Sequence, residues 1–204
     1  MHNSWKRAGL LVGVVGVALA AGPTQQMLER ADEDNANWLM YNKGYMSQRY
    51  SALDQINTGN VASLKKVCTY MLGENGSFQT GPVVYGGVMY VTTPHVTAAI
   101  NATTCKPLWK HTYKPTGPEP ATANRGVALY EGMVVRGTDD AHLIALNSST
   151  GKLIWNTKVA DSNKGFFLSA APLIYNGIVL IGTAGADWGA KGEMYGYDVK
   201  TGQR

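Results

Sequence analysis

Charge is scarce in this chain: 16% of its 204 residues are Asp, Glu, Lys or Arg, against about 25% in an ordinary soluble domain. Cysteine is nearly absent, at two residues. Two cysteines cannot build a zinc site alone, and no histidine lies at ligand spacing from them. No basic run interleaved with aromatics occurs, so a nucleic-acid footprint is not supported. No G-X-Y period occurs, which excludes collagen. Beyond residue 21 no apolar run is long enough to cross a membrane. What is abundant is glycine, 24 of 204 residues, together with 5 Trp, 11 Tyr and many β-branched residues. That composition opposes disorder and favours an all-β, turn-rich protein.

The first twenty residues read as a secretory signal. Lys6 and Arg7 form a positive start, Ala8 to Ala21 is an uncharged, mostly apolar run of 14 residues, and Ala18-Leu19-Ala20 gives the small-x-small cleavage pattern. The other reading of 1–20 is an uncleaved N-terminal anchor, although a comfortable span needs about 20 residues. Without this segment the formal charge falls from +4 to +2. Export would place Cys68 and Cys105 in an oxidising compartment, where they either pair or serve as two small buried hydrophobes. Asn75, Asn101 and Asn147 open N-x-[ST] triplets in turn-like sequence, which matter only in a eukaryotic secretory pathway.

Three segments then align without gaps: GPVVYGGVMYVTT (81–93), GVALYEGMVVRGT (126–138) and APLIYNGIVLIGT (171–183). Their tyrosines (Tyr85, Tyr130, Tyr175), glycines (Gly87, Gly132, Gly177) and threonines (Thr93, Thr138, Thr183) recur every 45 residues. Each copy reads as strand, tight Y-x-G turn, strand, with glycine supplying positive φ. Each is followed by a polar turn ending at Thr104, Thr150 or Thr201. In the first two copies a strand then carries Trp109 or Trp155. Four short strands in about 45 residues make one blade of a β-propeller. The expected fold is an all-β propeller of four-stranded antiparallel blades, with about three present. The third copy reaches Arg204 before its tryptophan falls due, so the sequence reads as part of a longer protein.

The segment before the first blade, 21–77, is mixed. Thr24 to Asn35 predicts a short, mostly exposed helix, Asn57 to Asn60 a turn opening a second one, and Lys65 to Leu72 a strand. In a closed propeller such a strand commonly completes the last blade. Residues 78–204 hold the repeats.

The stretch 37–67, and above all Arg49-Tyr50-Ser51 with Leu53 to Ile56, resembles the opening of the quinoprotein alcohol dehydrogenases. These enzymes use pyrroloquinoline quinone (PQQ) and a calcium or lanthanide ion on an eight-bladed propeller. The Thr-Gly-Lys…Trp elements resemble that family's tryptophan-docking motifs. The resemblance implies roles residue by residue. Ala123-Asn124-Arg125-Gly126 is similar to a V-N-R-G element, making Arg125 the partner of a quinone carboxylate; read alone, it is a surface loop arginine. Leu168 to Pro172 is similar to T-S-A-P, putting the Ser169 hydroxyl at the quinone, where a plain turn serine is the other reading. Gly182 to Gly189 is similar to G-x-S-G-A-E-x-G. Gly185 and Ala186 would then lie along the cofactor and Asp187 would be the metal ligand, rather than an ordinary loop carboxylate. Gln79 holds the position of a family glutamate. Glu119 and Pro120 hold that of a vicinal disulfide, and Ala170 and Ala184 replace family serines.

The resemblance implies a periplasmic enzyme that oxidises a primary alcohol to an aldehyde and passes electrons to a soluble cytochrome c or similar acceptor. The family's catalytic base, remaining metal ligands and cofactor-stacking tryptophan fall beyond residue 204, so no catalytic residue is assigned here. His95, His111 and His142 read as structural. The competing reading is a non-catalytic periplasmic propeller, built from the same repeats, that serves as a scaffold.

Overall fold

In the computed structural model residues 22–204 are described, and the signal segment expected over 1–20 lies outside them. Three antiparallel sheets follow one another along the chain. The first is β1 (Val83–Tyr85), β2 (Val88–Thr92), β3 (Val96–Asn101) and β4 (Pro107–Thr112). The second is β5 (Ala128–Tyr130), β6 (Met133–Gly137), β7 (His142–Asn147) and β8 (Leu153–Lys158). The third comprises β9 (Leu173–Tyr175), β10 (Ile178–Gly182) and β11 (Met194–Asp198). The chain meanders through each sheet, as in propeller blades.

The period seen in the sequence is turn chemistry. Each first hairpin closes through two residues at positive φ: Gly86 and Gly87 (57° and 77°), Glu131 and Gly132 (40° and 85°), Asn176 and Gly177 (46° and 76°). A hairpin loop with two positive-φ residues matches the strand twist. The carbonyl of each turn glycine then accepts from the second hairpin's turn: from Ala102 at 2.9 Å, Ser148 at 2.8 Å and Val199 at 2.8 Å. Those second turns are each built on an Asx acceptor. Asn101, Asn147 and Asp198 take the amides of Thr104, Thr150 and Thr201 at 2.9, 3.0 and 2.8 Å. Two of the three N-x-[ST] asparagines are thereby committed to turns.

Blades lock through tryptophan. Trp109 Nε1 donates to the Ser148 carbonyl at 2.7 Å and Trp155 Nε1 to the Val199 carbonyl at 3.0 Å. Each ring lies flat on the glycine of the next blade's turn. A Cβ on Gly151 would stand 2.5 Å from the Trp109 ring, and one on Gly202 2.7 Å from Trp155. The blade faces interdigitate. Along β7, Leu143 and Ala145 enter the core toward blade three, while Ile144 and Leu146 enter the core toward blade one. All four are fully buried, because this strand is covered on both faces.

The N-terminal segment straps the first hairpin of each sheet. It holds α1 (Gln25–Glu29), capped by the Thr24 hydroxyl, with Leu28 buried. Trp38 and Val84 exchange two backbone hydrogen bonds at 2.9 and 2.8 Å, the Pro23 carbonyl accepts from Glu131, and Tyr45 Oη donates to the Ile174 carbonyl. A 3-10 turn at Val61–Ser63 matches the second short helix expected. The strand expected over 65–72 does not form. Its alternation is present, but among the described residues nothing pairs with it, and Val67 and Met71 stay exposed.

Cys68 and Cys105 are joined as a disulfide, with Cα atoms 5.8 Å apart across 37 residues of sequence. The bond ties this otherwise unpaired segment to the β3–β4 turn. Replacing both cysteines with alanine is expected to cost about 3–4 kcal/mol through the added entropy of the unfolded chain. Urea denaturation measures it, with a lowered midpoint and an m value raised by the more expanded unfolded chain.

Candidate cofactor site

Strand direction puts six connections at one end of the blades. The start of each first strand lies beside the end of its second, and the second and third strands are joined there. This end carries residues 73–82, 93–95, 113–127, 138–141, 159–172 and 183–193. The opposite end carries the tight turns.

At this end the blades are laced together. Gly81 N donates to the Arg125 carbonyl at 2.9 Å, and Arg125 N donates to the Ser169 carbonyl at 2.9 Å. The lacing brings two of the sequence candidates into contact: Arg125 Nη1 donates to Ser169 Oγ at 2.7 Å. Ser169 is buried and Arg125 is exposed. Among the described residues no carboxylate pairs with Arg125. One edge of its planar fork is therefore fixed by a buried hydroxyl and the rest faces out, which suits a planar carboxylate.

Gly185, Ala186 and Asp187 lie on the β10–β11 connection. That connection is tied to the Ser169 segment by a bridge in which Phe167 and Ala184 exchange backbone hydrogen bonds at 3.2 and 2.9 Å. Gly185 sits at φ 129°, and a Cβ there would meet the Gly165 carbonyl oxygen at 2.3 Å. Only glycine permits that approach. The tight crossing holds Ala186–Trp188 as a single 3-10 turn with Asp187 in its first residues. Asp187 is exposed and makes no ion pair among the described residues. Gln79 stands apart: it is exposed and donates to Ser77 Oγ at 2.8 Å. The geometry thus joins Arg125 to Ser169, hangs Gly185–Asp187 on the adjoining loop and leaves Gln79 on the rim. The pairing of a carboxylate-binding fork with a buried hydroxyl, next to a free hard-oxygen donor on a glycine-fixed loop, fits a cofactor bearing carboxylates and a cation.

Two features of this end were missed in the sequence. Arg136 is fully buried. It donates to the carbonyls of Thr93 and Val96 at 3.1 and 3.0 Å, to that of Pro94, and to Thr97 Oγ1 at 3.3 Å, all in blade one. Its signal was a charge in MVVRGT at the position where the other repeats carry Val91 and Ile181. The second feature is His95, whose ring bridges two carboxylates. Nδ1 meets Glu74 and Nε2 meets Glu119 Oε1 at 2.5 Å. Beside them Asp139 is buried, and among the described residues neither of its oxygens has a partner in good hydrogen-bond geometry, the Ala123 backbone lying near enough only to favour the carboxylate. Desolvation, reinforced by Glu119 and opposed by Arg136, pushes its pKa up to about 7.

Comparison with known proteins agrees with this reading of the blades. The family model for the "Glucose/ethanol/alcohol dehydrogenase, beta-propeller domain" of the PQQ type matches residues 38–204. The quinoprotein alcohol dehydrogenase PedH of Pseudomonas putida is 38% identical over 197 residues, 93% of this chain and 33% of that protein. The lanthanide-dependent methanol dehydrogenase of Methylacidiphilum fumariolicum is 35% identical over 210 residues, 98% of this chain and 34% of that protein. The solved quinohemoprotein alcohol dehydrogenase ADHIIG from Pseudomonas putida HK5 superposes with a TM-score of 0.83 at 33% identity, over 90% of this chain and 28% of that one. The chain therefore spans about a third of the length of these relatives. Two complete blades with tryptophan docking, and a match that runs from the strap to the last residue, make this chain a member of the PQQ glucose/ethanol/alcohol dehydrogenase β-propeller family.

Proposed function

We propose that this chain forms the N-terminal part of an exported, periplasmic PQQ- and metal-dependent alcohol dehydrogenase that oxidises a primary alcohol to an aldehyde. Electrons would leave to a soluble cytochrome c or similar acceptor. The observation that carries the reading is the Arg125–Ser169 pair, presented by backbone hydrogen bonds that lace three successive blades. The names of the relatives, quinoprotein alcohol and lanthanide-dependent methanol dehydrogenases, support the same chemistry. PQQ, when bound, supplies the carbonyl that accepts the alcohol's hydride, with a calcium or lanthanide ion polarising it.

The chain's own residues do the holding. Arg125 binds a quinone carboxylate, and Ser169 keeps the guanidinium from rotating. Gly185 and Ala186 let the backbone lie along the cofactor, and Asp187 offers the cation a carboxylate oxygen. Gln79 on the rim donates or accepts one neutral hydrogen bond. No group among residues 22–204 is assigned the proton-abstracting role, so the isolated chain is expected to bind quinone without oxidising alcohol.

The test is linkage between cation and cofactor. Calcium or lanthanum is expected to tighten PQQ binding to the native chain about tenfold, or about 1.4 kcal/mol, as read by quenching of tryptophan fluorescence. Asp187→Ala is expected to abolish the cation's effect while leaving cation-free binding intact. A cation effect that survives in Asp187→Ala would remove Asp187 from the metal site.

A further inference from the structure

We propose that His95 is a positioning residue for the quinone-binding arginine, clasping Glu119 so that the β4–β5 connection holds the path that ends at Arg125. The inference rests on the reading that Arg125 meets a quinone carboxylate. The connection leaves β4 at Tyr113 and is pinned there by Asp140, which accepts from Tyr113 Oη at 3.0 Å and from the Thr116 amide at 2.8 Å. It is pinned again at Asn124, whose Nδ2 donates to the Gly137 carbonyl and whose Oδ1 accepts from the Gly126 amide, both at 3.0 Å. Between Thr116 and Asn124 the side-chain hydrogen bond among the described residues is the one that Glu119 Oε1 accepts from His95 Nε2, with the Ala123 backbone turned toward Asp139. Arg125 follows directly on this stretch.

The clasp carries its own pH dependence. His95 is faced by Glu74 from the approach to β1, by Glu119 from the connection itself, and by Asp139 and Arg136 from blade two. Lys110 and Lys114 line the groove outside. Burial disfavours the imidazolium, but the hydrogen bonds and charges of Glu119 and Glu74 outweigh it and raise the His95 pKa. Its contribution is therefore complete below the ordinary histidine value and is lost as pH rises through the raised one. Asp139, neutral at low pH, ionises near pH 7, where its charge repels Glu119 and attracts His95. The loss of the imidazolium charge is what loosens the clasp on the alkaline side.

Hydrogen–deuterium exchange on the full chain, without quinone, tests this. The reporters are the amides of Arg125, bonded to the Ser169 carbonyl, and Gly126, bonded to Asn124. Corrected for intrinsic rates, their protection is expected to fall at least tenfold between pH 6 and pH 9, while the Val134 and Val135 amides in the blade core stay constant. Glu119→Gln keeps one hydrogen bond and loses the charge, so it is expected to flatten that slope at intermediate protection. His95→Phe is expected to leave both amides unprotected at every pH. Should His95→Phe fail to fold, the native series and Glu119→Gln still decide. Protection that is flat with pH and equal in the native chain and Glu119→Gln overturns the proposal. Failure of the native chain to bind PQQ would strike the cofactor reading and leave the exchange result standing.

Discussion

Arg136→Met is expected to lower the stability of the chain by about 3–5 kcal/mol, the range for removing one member of a buried charged network. The arginine side chain is inaccessible to solvent. It reaches from β6 into the turn that follows β2, where it supplies the donors for three carbonyls and a threonine hydroxyl of blade one, and its Nε donates to the adjacent Gly137 carbonyl at 2.9 Å. Methionine fills much of the volume and supplies none of those donors. Burial lowers the guanidinium pKa to about 10, with Asp139 and Glu74 acting against the shift, so the group is charged throughout the neutral range. Its removal also withdraws the charge that restrains Asp139. Because the Asp139 pKa is already raised, the penalty is expected to be larger at pH 8 than at pH 6. Urea denaturation at both values measures it. Equal penalties would mean that Arg136 acts through its hydrogen bonds alone.

The second large effect concerns affinity. Arg125→Ala is expected to weaken PQQ binding to the chain about a hundredfold, or about 2.7 kcal/mol, because a carboxylate loses its charged, two-pronged donor. Arg125→Lys keeps the charge but loses the fork, and is expected to recover only part of that loss. Since Arg125 is exposed and among the described residues its side chain bonds only Ser169, neither change should move the urea midpoint much. Affinity that falls without loss of stability separates a ligand contact from a packing role.

What could be read from the sequence was local. The Tyr-x-Gly period marks turns that need positive φ within two residues, and the structure forms them at Gly86–Gly87, Glu131–Gly132 and Asn176–Gly177. Trp109 and Trp155 were visible because each repeat returns its docking partner at a fixed interval. The Arg125 and Ser169 positions were legible only through the family's motifs, since nothing periodic marks them. Arg136 and His95 escaped because their partners lie far along the chain, 43 residues away at Thr93 and 24 away at Glu119, in turns whose register a single sequence does not reveal. The strand expected over 65–72 shows the converse limit. Alternation states that a segment could pair, and pairing needs an edge to receive it.

The central claim is that the Arg125–Ser169–Asp187 end of the blades is where PQQ binds. An amide chemical-shift map of the labelled chain, titrated with PQQ in the presence of calcium, tests it most directly. Saturable shifts centred on Gly81, Arg125, Gly126, Ser169 and Gly185, and lost in Arg125→Ala, are the predicted result. Shifts confined to the groove beside Lys110 and Lys114, or no saturable shifts at all, would contradict the account.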